Sequence, residues 1–184
     1  MDFGSRVRQS KAHSGLHSPC LSQGSRGFTL IELIIVVVIV GIFAALAAPS
    51  FTKLIHKNNV TTTANEVYDL LQYSRGEAAS RGTSITMSAP GSSNTAWNGD
   101  IKVILTNQGT VLRDIGTGGL QTGVAITTAI GSIVFSSTGN ATPATCFTFT
   151  YTGDTSINAQ YVGVLGSGRI SVPSTTLPTT GECN

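Results

Sequence analysis

The sequence predicts an α+β protein in which a long N-terminal α-helix packs on a C-terminal antiparallel β domain. Three features carry this prediction: an apolar run from Phe28 to Ala48, a helical period that continues to Arg81, and short β-type segments after Gly82. Strand-like and helix-like patterns are thus segregated along the chain, as in α+β folds. The expected divisions are a basic leader (1–27), a helix (28–81, of which 28–48 is transmembrane) and a β domain (82–184).

The apolar run, residues 28–48, is long enough to cross a lipid bilayer. Its 21 residues correspond to about 31 Å of helix, close to the ~30 Å hydrocarbon core of a bilayer. Glu32 lies inside this run. A carboxylate within a membrane segment costs about 3 kcal/mol and normally has a partner, so Glu32 is a candidate functional residue.

The charge of the leader predicts the orientation of that segment. Residues 1–27 carry four basic residues against one acidic residue. Positive residues beside a first membrane segment hold that end in the cytoplasm, which places the β domain on the far side. The remaining 157 residues carry 7 basic and 8 acidic groups. The sequence pI of 8.5 therefore comes largely from the leader and does not indicate nucleic-acid binding.

The helical pattern is predicted to extend well beyond the apolar run. Apolar residues recur at intervals of three and four, as on an amphipathic helix, at Phe51, Leu54, Ile55, Ala64, Val67, Tyr68, Leu71 and Ala78. Arg81-Gly82 is a typical helix end, a cation in the last turn followed by glycine. Pro49 is predicted to kink the helix and Gly41 to soften it, because proline removes an amide donor and glycine is a weak helix former.

The segment after Gly82 has the composition of a β domain. Threonine, serine and glycine dominate, and short β-type runs lie between turn signals. The predicted strands are 84–88, 101–106, 124–128, 133–136, 146–151, 161–165 and 169–172. Gly139-Asn140 and Gly166-Ser167-Gly168 are predicted turns.

The N-terminal motif identifies a family. Gly27-Phe28-Thr29-Leu30-Ile31-Glu32-Leu33, behind a basic leader and opening an apolar run, resembles the start of type IV prepilins and pseudopilins. The resemblance implies that prepilin peptidase cleaves after Gly27 and that the new terminal residue, Phe28, is N-methylated. It also implies that the charged Phe28 amine pairs with Glu32, within one subunit or between neighbours in a filament. Residues four apart lie on one face of a helix, which suits this pairing.

The rest of the chain resembles the FimU/FimT/GspH group of minor pilins, and FimU most of all. The markers are Leu71-Gln72-Tyr73-Ser74-Arg75-Gly76-Glu77-Ala78, Trp97-Asn98-Gly99, Ile133-Val134-Phe135 with Gly139, and Gly168-Arg169-Ile170 before a Cys-terminated tail. The implied role is structural: a minor pilin that primes pilus assembly and joins tip minor pilins to the major pilin. The implied partners are those pilins, prepilin peptidase and the inner-membrane assembly platform. The implied location is the inner membrane, with a periplasmic β domain, and then the pilus.

Three simpler interpretations of the apolar run compete with this one. A secretory signal peptide shares the basic start, and Ala45-Leu46-Ala47 offers a small-residue cleavage site. The long leader, Glu32 and the helical pattern beyond Pro49 argue against it. A plain membrane anchor explains the length of the run but not Glu32. A buried core helix of a soluble domain does not need four basic residues ahead of it.

Cysteine usage agrees with export. Cys20 would be lost with the leader, which leaves Cys146 and Cys183 as an even pair in a domain expected to face an oxidising compartment. A disulfide between them would stabilise the fold by about 4 kcal/mol in the chain-entropy view. Two free thiols are the alternative, and a metal site would need more ligands than two cysteines supply.

No pattern of catalytic residues is present, so the sequence predicts a protein that is not an enzyme and needs no cofactor or metal. His56 is the only histidine after Phe28. Nucleophile–histidine arrangements therefore lack a base in the β domain. Its carboxylates are scattered singly, and Gly116-Thr117-Gly118-Gly119 lacks the lysine of a phosphate loop.

Two other functions remain as alternatives to pilus assembly. FimT-like pilins bind DNA through a Gly-Arg-x-Arg element, and this chain has Gly168 and Arg169 but Ser171 in place of the second arginine. The β domain also lacks the clustered positive charge that phosphate binding needs. The H pseudopilin of type II secretion is the other alternative, because the same fold serves it.

Overall fold

The structure, a computed structural model, describes residues 27–89, 97, 99–115 and 120–178. It contains one α-helix and eight β-strands within those residues. The elements are α1 (Leu30–Arg81), β1 (Ile85–Ser88), β2 (Ile101–Leu105), β3 (Val111–Ile115), β4 (Val124–Thr127), β5 (Ser132–Phe135), β6 (Ala141–Thr142), β7 (Thr145–Tyr151) and β8 (Gln160–Val164). The predicted class, a long helix with an antiparallel β domain, is confirmed.

The chain divides into two units, residues 1–42 and 43–184, and α1 runs from the first into the second. In the first unit the described residues are the start of α1 and the three residues before it, and all of them are exposed. The second unit holds the remainder of α1 and all eight strands. It is this unit that contains the hydrophobic core.

The part of α1 that packs on the sheets begins near Val60. Its buried side chains recur at helical spacing: Val60, Thr63, Ala64, Val67, Leu70, Leu71, Ser74 and Ala78. The predicted amphipathic face is confirmed from Ala64 onward, whereas Phe51, Leu54 and Ile55, predicted to belong to it, are exposed. Residues 58–63 are poor helix formers in isolation, yet they are helical because Val60 and Thr63 are almost completely buried. Tertiary packing, not propensity, therefore maintains the helix at this point.

Both ends of α1 follow the capping rules. Thr29 precedes the first helical residue, and its hydroxyl accepts a hydrogen bond from the Glu32 N–H at 3.2 Å. The helix ends at Arg81, and Gly82 has a φ of 63°. Glycine takes this left-handed conformation without steric cost, so the predicted Arg81-Gly82 stop is confirmed.

The strands form two antiparallel sheets. The first has the order β3-β2-β1-β5-β6 and the second has the order β4-β7-β8. Alternate residues of the central strands are buried, and they join α1 in one core with Trp97, Phe135, Phe147 and Phe149. The Trp97 indole donates a hydrogen bond to the Ile130 carbonyl at 2.7 Å, so its one polar group is satisfied inside that core.

The strand predictions were wrong at three places. β3 was missed because Val111–Ile115 contains Arg113 and Asp114 and lies at a sheet edge, where one side faces solvent. β6 is only two residues long, too short for a periodic signal. The predicted strand 169–172 is not a strand, since only Ile170 forms a bridge, to Val164. Two single backbone hydrogen bonds hold this segment instead, from the Leu165 N–H to the Arg169 carbonyl and from the Ser171 N–H to the Gly163 carbonyl.

Gly41 and Pro49 both lie inside α1, and the helix is assigned without a break through both. Proline lacks an N–H, so the carbonyl one turn before it loses its usual donor. Both residues are exposed, so neither is held by side-chain packing. The predicted kink at Pro49 and softening at Gly41 stay predictions.

Candidate functional site

Within the described residues, Phe28 and the apolar first part of α1 form an exposed apolar surface. Its large side chains are 45–82% exposed: Phe28, Leu30, Ile31, Leu33, Ile34, Ile35, Val36, Val37, Val38, Ile39, Val40, Ile42, Phe43, Leu46, Phe51, Leu54 and Ile55. By length and composition, α1 contains a segment apolar enough to cross a membrane. A contiguous apolar surface of this extent marks a membrane or protein interaction site.

Glu32 lies in the first turn of α1, where the helix dipole favours a negative charge. Thr29 and Glu32 have the spacing of a capping box, and the bond from the backbone N–H of Glu32 to the Thr29 hydroxyl is the half of it that involves no carboxylate. Gly27, Phe28, Thr29 and Glu32 line one shallow surface depression. The predicted cleavage and pairing residues are therefore neighbours.

Phe28 precedes the helix, contrary to the prediction that the helix begins at this residue. In the uncleaved chain the nitrogen of Phe28 belongs to a peptide bond and carries no charge. Thr29, whose hydroxyl accepts a hydrogen bond from the Glu32 N–H, caps the helix, and α1 begins at the next residue, Leu30. A charged partner for Glu32 at this position requires cleavage after Gly27, and that cleavage stays a prediction.

Two turns and one arginine of α1 meet at the other end of the helix, in an arrangement we call the Arg75 clasp (Arg75, Gly139 and Gly168). The Arg75 Nε donates a hydrogen bond to the Gly139 carbonyl at 3.2 Å. The Ala141 N–H donates to the Gly166 carbonyl at 3.1 Å, which joins the turn after β5 to the turn after β8. The predicted turns at Gly139 and Gly168 are thus confirmed.

Gly168 is required by space as well as by conformation, whereas Gly139 is required by conformation alone. Gly139 and Gly168 have φ values of 81° and 76°. A Cβ on Gly168 would lie 1.7 Å from the Gly139 carbonyl oxygen, whereas one on Gly139 would lie 3.4 Å from the Arg75 Nε. Residues that carry the family resemblance therefore meet in space, and their role there is to hold the β domain against α1.

The cations of the β domain do not form one basic surface. Arg169 is exposed beside the clasp. Lys102 forms ion pairs with Asp100 at 3.4 Å and Asp114 at 3.8 Å, and Arg113 lies over the Tyr73 ring at 5.4 Å. These partners reduce the charge that is available to a phosphate backbone. The arrangement gives no support to the DNA-binding alternative.

A second cluster, which sequence reasoning missed, joins α1 to the β7–β8 connection. The His56 Nδ1 lies 2.9 Å from the Asp154 Oδ2, and the His56 ring stacks on Tyr151 at a centroid distance of 3.9 Å. The Asp154 Oδ1 accepts hydrogen bonds from the Ser156 hydroxyl and N–H. His56 and Asp154 are 98 residues apart, so no local pattern could have related them.

The Ser156 hydrogen bonds, and then the His56 contact, lower the pKa of Asp154 to about 2 from its ordinary 3.8. A depressed carboxyl pKa stabilises the folded state above the ordinary value, and this contribution is lost as the pH falls toward about 2. We therefore expect Asp154→Asn to lower the melting temperature at pH 5, and its disadvantage to shrink between about pH 4 and pH 2. Circular-dichroism melts of both proteins across that range check this, and a constant difference would contradict it.

Cys146 is on β7 and is disulfide-bonded. Cys183 and all of the leader before Gly27 lie outside the described residues, so the Cys146–Cys183 pairing stays a prediction. Within the described residues, no group of three or more His, Cys, Asp or Glu side chains could hold a metal ion.

The comparison with protein families is decisive. Residues 63–168, more than half of the chain, match the family described as "Type II transport protein GspH". The chain belongs to the GspH family. Residues 22–48 match the "Prokaryotic N-terminal methylation motif", and this match contains Gly27, Phe28 and Glu32. Each match includes a part of α1, and together they identify a minor pilin of the FimU/GspH type.

Solved structures agree on the fold of this GspH-family protein. The crystal structure of the type IV minor pilin FimU from Pseudomonas aeruginosa in space group P21 superposes with a TM-score of 0.54 at 18% identity. The similarity covers 66% of this chain and 94% of that FimU chain. A second FimU crystal form, in space group P65, gives a TM-score of 0.52 at 20% identity, over 64% of this chain and 96% of that chain. The fold is that of type IV pilins, as predicted.

Curated relatives are similar to this chain over a short stretch. The type IV major alpha-pilin of Moraxella bovis is 48% identical over 42 residues, which is 23% of this chain and 26% of the relative. A fimbrial protein of Pseudomonas aeruginosa is 47% identical over 45 residues, or 24% of this chain and 29% of the relative. The chain thus spans between a quarter and a third of the length of these relatives. Pilins and pseudopilins are structural proteins that assemble with other pilins, and the prediction of a non-enzymatic protein is confirmed by family.

Proposed function

We propose that this protein is a structural minor pilin of the type IV pilus, which primes assembly and links tip minor pilins to the major pilin. The observation that carries the proposal is an exposed apolar helix, opened by Glu32, attached to a β domain with the FimU fold. An apolar helix can leave lipid for a bundle of similar helices at little cost in hydrophobic burial. Packing and the Glu32 charge then select the neighbour and its register.

The proposal places the chain in the inner membrane before assembly. Four basic residues precede the apolar segment, and Lys53 and Lys57 are the two that follow it closely. This excess favours a cytoplasmic N-terminus, a single crossing and a periplasmic β domain. Prepilin peptidase and the inner-membrane assembly platform are the partners that such a subunit needs before it enters the pilus.

Replacing Gly27 with leucine is expected to block removal of residues 1–27 and methylation of Phe28. Gly27 has open space around it, with no atom within 4 Å of an added Cβ. The substitution would therefore leave the fold intact, and a loss of processing would reflect recognition of the glycine. Immunoblots of whole cells check this, because the precursor keeps 27 additional residues. A Gly27→Leu chain of mature size would contradict the cleavage assignment, and Gly76→Ala, also in open space, is the matched control.

The assembly role is tested by counting surface pili on cells that lack the gene, with and without a complementing copy. Loss of pili that the copy restores supports a priming subunit. Pili at normal number and length would contradict the priming role. Copurification of tip minor pilins with the major pilin, in wild-type but not deleted cells, tests the linking role separately.

A second candidate function is the H pseudopilin of a type II secretion system, which the family match itself favours. The same helix and β domain would then enter a short pseudopilus. Secreted protein in the medium distinguishes the two, because its loss on deletion, with pili unaffected, would favour secretion over the pilus.

A further inference from the structure

An open depression of about 540 Å³ lies beside α1, just beyond the proposed membrane-spanning segment. One wall is α1 and the other is the segment that follows Asp154, so both walls belong to the second unit. Its polar lining includes Lys53, Lys57 and Thr61 of α1 and Ser156, Asn158 and Gln160 across from them. The volume is within the range of small-ligand sites.

The chemistry of this depression suits a phosphate group. Lys53 and Lys57 are four residues apart on one face of α1, and both are exposed. Among the described residues, neither lysine forms an ion pair with a carboxylate. Ammonium, hydroxyl and amide groups all donate hydrogen bonds, and a phosphodiester group offers only acceptors at neutral pH.

The acid nearest to the depression is already engaged. Asp154 lies two residues before Ser156, and its two carboxylate oxygens contact His56 on one side and Ser156 on the other. Both oxygens of Asp154 thus have partners other than the lysines. The same contacts fix the segment after Asp154 against α1, which gives the depression its second wall. The site is therefore built by the fold rather than by two isolated lysines.

The position of the depression along α1 identifies the source of the phosphate. Lys53 follows Ala48 by about 7.5 Å of helix, and Lys57 by about 13.5 Å, at about 1.5 Å per residue. The polar layer on each side of a bilayer is roughly 5–8 Å thick. Lysine side chains extend back toward that layer from beyond it. This step rests on the proposed membrane span of residues 28–48.

We propose that this depression binds the headgroup phosphate of an anionic phospholipid in the leaflet from which α1 emerges. The contact would fix the depth of the helix in the bilayer until the subunit enters the filament. A lysine near an anionic membrane surface strengthens binding by about fivefold, so two should contribute about thirtyfold.

The test uses the full chain in vesicles of phosphatidylcholine, with or without phosphatidylglycerol, and a trace of either lipid carrying a photoactivatable headgroup. Peptide mapping after illumination should find the phosphatidylglycerol probe on residues 50–61 and 156–160, well above the phosphatidylcholine probe. Changing both Lys53 and Lys57 to glutamine should reduce this labelling by at least tenfold, and changing both to arginine should preserve it. Lys102→Gln, at a lysine already paired with Asp100 and Asp114, is the matched control and should leave labelling unchanged.

Each other outcome overturns a defined part of the argument. Equal labelling by both probes, or labelling unaffected by the double glutamine variant, overturns the headgroup site. Displacement of the lipid probe by millimolar inorganic phosphate means that free phosphate, not lipid, is the ligand. Flotation of the vesicles measures insertion of the chain separately. A chain that does not float with the vesicles overturns the proposed membrane span. A chain that floats but is labelled equally by both probes overturns the headgroup site alone.

Discussion

Gly168→Ala is expected to cause a larger loss of stability than an alanine at any other described glycine. The new Cβ would lie 1.7 Å from the Gly139 carbonyl oxygen, a backbone atom that cannot move without shifting the turn after β5. Strain at the positive φ costs about 1–2 kcal/mol, and overpacking adds about 1–3 kcal/mol. Domains have only ~5–15 kcal/mol of stability, and we expect the melting temperature to fall by roughly 10 °C.

Gly153→Ala separates the two contributions. Gly153 has a φ of 84°, close to that of Gly168, but no atom lies within 4 Å of an added Cβ. This variant should therefore show the conformational strain alone. Thermal unfolding of the full chain in detergent, followed by circular dichroism, compares the two. Equal losses would mean that the contact between the two turns does not stabilise the protein.

Arg75→Leu tests the same clasp from the helix. The Arg75 side chain donates a hydrogen bond to the Gly139 carbonyl. Its loss leaves that carbonyl with one fewer donor, at a cost of about 1–3 kcal/mol. Arg81→Leu is the matched control, because Arg81 contacts Glu77 within the helix. The same melts check the prediction, which a larger effect at Arg81 would contradict.

The helix and the fold class could be predicted because their signals are local. The apolar length of residues 28–48, the three-and-four spacing up to Ala78, and Arg81-Gly82 each depend only on neighbours in sequence. Edge strands carry no such signal. β3 contains Arg113 and Asp114 because an edge strand buries little, so its alternation is lost. Conversely, residues 169–172 have the sequence pattern of a strand. Their hydrogen bonds do not form a ladder, because they join only single residues of β8 and of the turn after it.

The residues of the candidate sites also differ in whether sequence could predict them, because some belong to a contiguous motif and others meet through long-range contacts. Gly27, Phe28 and Glu32 were predictable because the motif is contiguous, and the family match contains them. The meeting of Arg75 with Gly139 spans 64 residues, and the pairing of His56 with Asp154 spans 98. A single sequence contains no record of such long-range contacts. The sequence could identify the glycines as turn formers. It could not show why alanine is excluded at Gly168.

Glu32→Ala is expected to have the largest effect on function, reducing incorporation of this chain into pili by at least tenfold. Removal of the carboxylate would leave the proposed Phe28 amine charge without its partner in an apolar filament core. Breaking a buried ion pair in this way costs about 3–5 kcal/mol, and about 1.4 kcal/mol already corresponds to tenfold. The measurement is the amount of this chain in sheared pili relative to the amount of processed chain in membranes.

The capping geometry provides the control for this experiment. The Glu32 group bonded to Thr29 is the backbone N–H, which alanine and glutamine both retain. Thr29→Ala instead removes the cap, at about 1 kcal/mol of helix stability, and keeps the carboxylate. If charge selects the neighbour, Glu32→Ala and Glu32→Gln should both fail while Thr29→Ala assembles. Assembly of Glu32→Gln at the wild-type level would show that the shape of this side chain matters and its charge does not. A defect in Thr29→Ala equal to that of Glu32→Ala would show that this turn acts through helix capping.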